Sequence, residues 1–247
     1  MNAFYTGLSL GLSGLIPSLP ALRQPTRRSY VLSGALLVGL TMWAGLAPLP
    51  RLLPWLPLVA GADYWLSLLL TLLVGLAAVA LLLGPGHWRR EELGLRWQTN
   101  PGTVHAALRW LLPLLALEGM LLWWLVPGGH PSGGFQLIQL SVGATEELTF
   151  RGVLLALLDR AFRGRTRVLG AELGWGTVGS SLLFGLCHGL RVDAEFHVAL
   201  QLLPMAIPTV GGFVLAWCRA RSGSLLLPIL VHSGMNEAVQ FIALLKA

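Results

Sequence analysis

Apolar residues are grouped along the chain into seven runs, each long enough to cross a lipid bilayer as a helix. About 20 apolar residues are needed to span the hydrocarbon core, and short polar or proline-containing segments separate one run from the next. The pattern therefore predicts an all-α polytopic membrane protein, a bundle of about seven transmembrane helices. The predicted spans cover residues 30–50, 64–84, 109–127, 136–157, 174–190, 197–218 and 224–245.

Residues 1–29 form a separate N-terminal segment, which is expected to be either an interfacial helix or a short eighth span. Pro17 and Pro20 shorten its apolar run. A cleavable signal peptide is not predicted, because no basic side chain precedes the apolar residues. Residues 30–247 are predicted to form a single transmembrane domain, since no polar stretch is long enough to make a soluble one.

Composition and charge support a membrane location. The chain of 247 residues is 55% hydrophobic and only 11% charged, a balance that excludes an ordinary water-soluble domain. If the N-terminus lies inside, nearly all basic residues fall on the inside, and only Arg51, Arg191 and Lys246 lie outside. This asymmetry predicts an integral protein of a bacterial-type plasma membrane. It also accounts for the net charge of +6 without a nucleic-acid partner.

The fourth predicted span contains three ionisable residues, Glu146, Glu147 and Arg151. A charged group near the bilayer centre costs a few kcal/mol, about 3 on insertion scales, so each needs a partner or a function. Glu147 and Arg151 are four residues apart and therefore face the same side of a helix, where they can form an ion pair. Glu146 lies about 140° around the helix from Arg151. Glu146 is thus the carboxylate expected to carry chemistry, whereas Glu147 is expected to be structural.

The fifth and seventh spans each carry a histidine with a partner four residues away. Phe184 precedes His188 on one face of the fifth span, and Asn236 follows His232 on one face of the seventh. An imidazole and a carboxamide can donate hydrogen bonds to an oxyanion. Each pair could instead be a polar contact that only holds helices together.

The three candidate residues lie at similar depths in the predicted bundle. At 1.5 Å per residue, Glu146 lies roughly 17 Å, His188 roughly 21 Å and His232 roughly 12 Å from the inner ends of their spans. A carboxylate and imidazoles at one level of a low-dielectric site can hold and deprotonate a water molecule. The pattern therefore predicts hydrolysis within the membrane.

Three segments resemble the motifs of the CAAX prenyl endopeptidase and bacteriocin-immunity family of intramembrane proteases, known as CPBP or Abi. The resemblance extends over about residues 87–245, the expected protease-like core, and begins with a Leu-Gly-Leu element at residues 93–95. The motifs Glu-Glu-x-x-x-Arg, Phe-x-x-x-His and His-x-x-x-Asn correspond here to Glu146, Glu147 and Arg151, to Phe184 and His188, and to His232 and Asn236.

The resemblance implies an endopeptidase that acts on a membrane-associated or lipid-attached peptide. It implies that Glu146 and His188 activate the water and that His232 and Asn236 form the oxyanion hole. Glu147, Arg151 and Phe184 are expected to support the site. No cofactor is expected to be required. In the alternative, Glu146, His188 and His232 hold a divalent metal such as zinc, because one carboxylate and two imidazoles can form such a site.

Rival functions belong to other classes. The buried polar residues could serve a non-catalytic scaffold, an immunity protein or a transporter subunit, in which Glu118 of the third span would suit a proton path. A transporter predicts repeated halves with broken helices, and the sequence shows no such repeat. A serine protease is disfavoured because Ser141, Ser180 and Ser181 lack a Gly-x-Ser-x-Gly frame. The sequence pattern does not identify the peptide that is cut, and it does not indicate whether the tail of that peptide is prenylated.

Overall fold

The computed structural model describes residues 26–46, 62–84, 88–129, 141–192 and 198–247. Within these residues the chain is mostly helical, and seven long helices follow one another in the order of the seven apolar runs. The helical character predicted from the sequence is confirmed. The helices are α1 (Arg27–Leu46), α2 (Ala62–Leu83), α3 (Thr103–Leu125), α4 (residues 141–161), α5 (Trp175–Gly189), α6 (Leu202–Ser222) and α7 (Leu226–Leu245).

Two short antiparallel strand pairs lie in the connections on either side of α5, and the all-α prediction missed both. They form because backbone groups outside helices still need hydrogen-bond partners. In the first pair, Leu169 and Gly170 both have positive φ, at 47° and 81°, as a tight hairpin turn requires. The pairs are β1 (Arg165–Val168) with β2 (Ala171–Gly174) and β3 (Leu190–Val192) with β4 (Val198–Leu200).

Two of the helices described by the structure, α3 and α6, have the length and apolar composition to cross a membrane. The structure therefore confirms seven helices in the described residues, but it does not confirm that all seven cross the membrane. At 15 residues, α5 is shorter than an untilted span needs, and the ionisable residues of α4 and α7 make those helices less apolar. The question of an eighth span concerns residues 1–25, which lie outside the described part of the chain.

The main apolar core lies where α1, α2, α4 and α5 meet. Leu37, Leu82, Leu154 and Phe184, one from each helix, belong to a single buried cluster. The carboxylates and histidines named above lie on the helices that border this core. Apolar packing therefore helps to fix the positions of the side chains on α4 and α5.

Glycines allow α5 and α6 to approach closely. A Cβ atom at Gly185 would overlap the side chain of Thr209, and one at Gly189 would overlap Met205. A similar approach joins α4 to α7, where a Cβ at Gly143 would meet Ser233. Small residues at helix crossings are typical of membrane bundles because they let the backbones come together.

The segment before α3 holds the ends of α6 and α7. Gly94, at φ 73°, follows a short 3₁₀ turn at Arg90–Leu93 and lies against the guanidinium of Arg219. Arg219 donates to the carbonyl oxygen of Glu92 at 2.9 Å, and Leu225 donates to that of Gly94 at 2.9 Å. The Leu-Gly-Leu element therefore positions the α6–α7 connection, and with it the start of the helix that carries His232.

The close approach of α5 and α6 predicts how two glycine substitutions will differ. Gly185→Ala should lower the unfolding temperature, because overpacking of this kind costs about 1–3 kcal/mol. Gly39→Ala is the matched control, since nothing lies within 4 Å of a Cβ at Gly39 and alanine is the better helix former. Thermal unfolding in detergent measures both. Equal unfolding temperatures for the two variants would contradict the packing described here.

Candidate active site

The centre of the candidate site is an ion pair within α4. Arg151 Nη1 donates to Glu147 Oε1 at 2.7 Å, and both side chains are fully buried. This is the pair that the spacing of four residues predicts. Arg151 lies in a π-helical segment, Leu148–Leu154, that begins directly after Glu147. Such widened turns inside α-helices are frequent at functional sites.

A histidine from α7 joins both carboxylates. His232 Nδ1 lies 2.8 Å from Glu147 Oε1, and His232 Nε2 lies 3.7 Å from Glu146 Oε2. A carboxylate that already accepts from Arg151 accepts here too, so Nδ1 of His232 carries the hydrogen. The imidazole is thereby oriented with Nε2 facing Glu146. Residues 85 positions apart along the chain meet in this contact.

The two glutamates differ in access. The side chain of Glu147 is 0% exposed and that of Glu146 is 23% exposed. Glu146 Oε2 is a buried atom without a hydrogen-bond partner among the described residues. Glu147 Oε2 also lacks a partner among these residues, but only Glu146 is partly exposed, so Glu146 is the carboxylate that a ligand can reach.

Phe184 of α5 connects the polar groups of three helices. Its ring lies 4.2 Å from the Arg151 guanidinium carbon, an arrangement suited to a cation–π interaction. The same ring is 4.5 Å from the His188 ring centroid and packs edge-on against His232, with centroids 5.8 Å apart. Phe184 is itself buried, at 3% exposure. It therefore sets the spacing between the two imidazoles and screens the ion pair from water.

His188 is fixed through its own helix. Its Nδ1 lies 2.8 Å from the carbonyl oxygen of Phe184, which can only accept, so Nδ1 is the donor. In neutral His188, Nε2 is then an acceptor. Over the described residues His188 makes no hydrogen bond to Glu146, and it reaches the cluster through Phe184.

The structure thus brings together Glu146, Glu147, Arg151, Phe184 and His232, with His188 at the edge of the cluster. Asn236 is half-buried and lies one turn after His232 on α7. Glu118 of α3 is half-buried and makes no ion pair with the cluster in the described structure. From the sequence, Glu146 and His188 are expected to act together on a water molecule. In the structure, the histidine that lies next to Glu146 is His232.

Two features of the site have no local sequence signal. The contact between Glu147 and His232 links distant parts of the chain, so spacing cannot reveal it. The π-helical segment departs from the 100° per residue on which helical-face arguments rest. The shared motif positions are the only sequence feature that groups these residues.

The residues considered as metal ligands do not form a metal site in the part of the chain that is described. No group of three His, Cys, Asp or Glu side chains there is suitably arranged for a metal ion. His188 and His232 each use Nδ1 for a protein acceptor. Both imidazoles keep Nε2 as the nitrogen that could bind a metal, and the mechanism proposed below uses no metal.

The buried ion pair predicts a strong coupling between its two residues. Glu147→Gln and Arg151→Gln should each lower stability by about 3–5 kcal/mol, because each leaves a buried charge without its partner. The double variant should lose less than the sum of the two single losses. Thermal unfolding and the yield of folded protein in detergent measure the cycle. Strictly additive losses would show that the two charges do not depend on each other.

Comparison with known proteins is consistent with this geometry. Residues 129–238 match the family model described as type II CAAX prenyl endopeptidase, Rce1-like. No curated protein and no solved structure gives a significant match to the chain. The matched family consists of membrane-embedded proteases, and the match covers all three motifs but not the Leu-Gly-Leu element. The resemblance to the CAAX prenyl endopeptidase family is therefore confirmed over residues 129–238.

Proposed function

We propose that this protein is an intramembrane endopeptidase that hydrolyses a peptide bond of a membrane-associated or lipid-attached substrate. The observation that carries the proposal is the difference in burial and in partners between two adjacent carboxylates, Glu146 and Glu147. Glu147 is fully buried and its Oε1 is held by Arg151 and His232, while Glu146 is 23% exposed and its Oε2 lies 3.7 Å from His232 Nε2. A site that served only to hold helices together would have no need of an accessible carboxylate beside the buried ion pair.

Glu146 is proposed as the general base. A separation of 3.7 Å between its Oε2 and His232 Nε2 suits a shared water better than a direct hydrogen bond. Glu146 takes a proton from this water while the oxygen attacks the carbonyl carbon of the peptide bond. His188 assists as an acceptor through Nε2, because its Nδ1 hydrogen is used by Phe184. Glu146 then returns the proton to the departing amine.

His232 and Asn236 are proposed to stabilise the tetrahedral oxyanion. The amide of Asn236 donates whatever the state of the imidazole. His232 can donate through Nε2 when both of its nitrogens carry hydrogen, and the two glutamates then balance its charge. A single donor at such a position contributes roughly 10²–10³ in rate. Glu147 acts through His232, whose ring it orients.

The substrate is proposed to be an extended peptide segment that reaches the site from the arginine-rich side. The family description names prenylated CAAX tails, so a lipid-attached C-terminal peptide is the first candidate. The protein is proposed to lie in a bacterial-type plasma membrane with its N-terminus inside, which places that side in the cytoplasm.

Replacement of Glu146 tests the proposed base. Glu146→Gln should lower the cleavage rate of a farnesylated CAAX-type peptide by at least about 10²-fold, the usual contribution of general-base catalysis. The folded protein should remain, because Glu146 has no buried ion-pair partner within its own helix. Glu118→Gln is the matched control: it makes the same change at a half-buried carboxylate on α3 and should leave the rate unchanged. Full activity of Glu146→Gln would remove Glu146 from the mechanism.

Treatment with a chelator tests the metal alternative. Activity after exhaustive dialysis against a zinc chelator should equal that of untreated protein, because a carboxylate base of the proposed kind takes a proton from water without a metal. The control is the same dialysis of an authentic zinc protease. Loss of activity that added zinc restores would overturn the metal-free mechanism.

A further inference from the structure

A groove lies at the arginine-rich end of the bundle, beside the end of α4, whereas the carboxylates lie near the start of that helix. It has a volume of about 1220 Å³ and runs between the start of α1, the end of α4 and the start of α5. None of the proposed catalytic residues lines it. Its walls combine positive charge, exposed aromatic rings and, further along the helices, apolar side chains.

The positive charge of the groove comes from Arg27, Arg160 and Arg163. Arg160 is already engaged, since it donates to Glu92 at 2.7 Å and lies over the Trp88 ring at 3.5 Å. Arg27 and Arg163 are exposed, and neither has a carboxylate partner in the described part of the chain. Two guanidinium groups at the groove are therefore available to an anion.

The only acidic residue that lines this groove in the described structure, Asp159, does not neutralise those arginines. Its Oδ1 accepts from the backbone N–H of Gly176 at 2.6 Å, and its Oδ2 lies 3.5 Å from Arg165. The helix start that carries Arg27 is itself fixed. Thr26 and Ser29 exchange hydrogen bonds between their backbone N–H groups and side-chain oxygens at 3.0 and 3.1 Å, as in a helix-capping box.

Aromatic and apolar residues extend the groove toward the bilayer. Trp175 is 55% exposed at the first turn of α5, a position typical of an indole at a membrane interface. Phe162 lies under the Arg27 guanidinium at 4.4 Å. Leu158 and Val178, one turn further into the helices, line the same groove. A polar end followed by an apolar wall matches a headgroup with its acyl chains.

We propose that this groove binds the phosphate headgroup of an anionic phospholipid. Guanidinium groups bind phosphate oxygens through paired hydrogen bonds, and basic pockets between membrane helices are suited to anionic headgroups. The bound lipid would bridge α1 to the α4–α5 connection. This site is separate from the proposed peptidase centre and does not rest on it.

Binding to defined lipids tests the proposal. Native mass spectrometry of the detergent-solubilised protein, titrated with phosphatidylglycerol or phosphatidylcholine, should show a preference for phosphatidylglycerol. The variant Arg27→Gln/Arg163→Gln should bind phosphatidylglycerol at least about tenfold more weakly, because both guanidinium partners of the phosphate are lost. Arg27→Lys/Arg163→Lys should keep most of the preference for the anionic lipid.

The matched control removes the same charge elsewhere on the same side of the protein. Arg28→Gln/Arg167→Gln replaces two exposed arginines that do not line the groove, and it should bind phosphatidylglycerol as the unaltered protein does. Equal weakening in the two glutamine variants would overturn the site in favour of general surface charge. Binding of inorganic phosphate without binding of phosphatidylglycerol would contradict the proposal, because the ligand of the groove would then be a free phosphate and not a lipid headgroup.

Discussion

The fully buried carboxylate of Glu147 is the group on which the site depends. It accepts from Arg151 of its own helix at 2.7 Å and from His232 of α7 at 2.8 Å. A charged carboxylate in such surroundings is tolerated only with partners of this kind. Because one partner lies on each helix, the pairing also fixes how α4 and α7 face each other. The accessible Glu146 is placed beside His232 as a result.

Apolar packing and the polar site support each other. Phe184 belongs to the core between α1, α2, α4 and α5, yet its ring contacts Arg151 and both histidines. The glycines of α5 bring this helix close to α6. Movement of α5 would consequently change the distance between the two imidazoles. Phe184 and the glycines of α5 are therefore expected to influence the geometry of the site although they do not react.

Local patterns in the sequence predict the helices and the ion pair, but not the contacts between helices. Bilayer thickness sets the length of an apolar run, so the order of the seven helices could be predicted. The pairing of Glu147 with Arg151 needs only four residues of helix. The bond from Glu147 to His232 joins positions 85 residues apart, and the β1–β2 hairpin depends on backbone pairing in a short connection. Those features follow from tertiary structure, which a periodic pattern does not encode.

The central claim is that Glu146 makes this membrane protein a hydrolase, and the peptide termini of the membrane proteome test it most directly. Cells that carry the unaltered protein would be compared with cells that carry an equal amount of folded Glu146→Gln variant. A set of new termini within or beside membrane segments should appear only with the unaltered protein, and those termini would identify the substrate. Identical terminal peptides in the two samples would contradict hydrolysis and favour a non-catalytic scaffold.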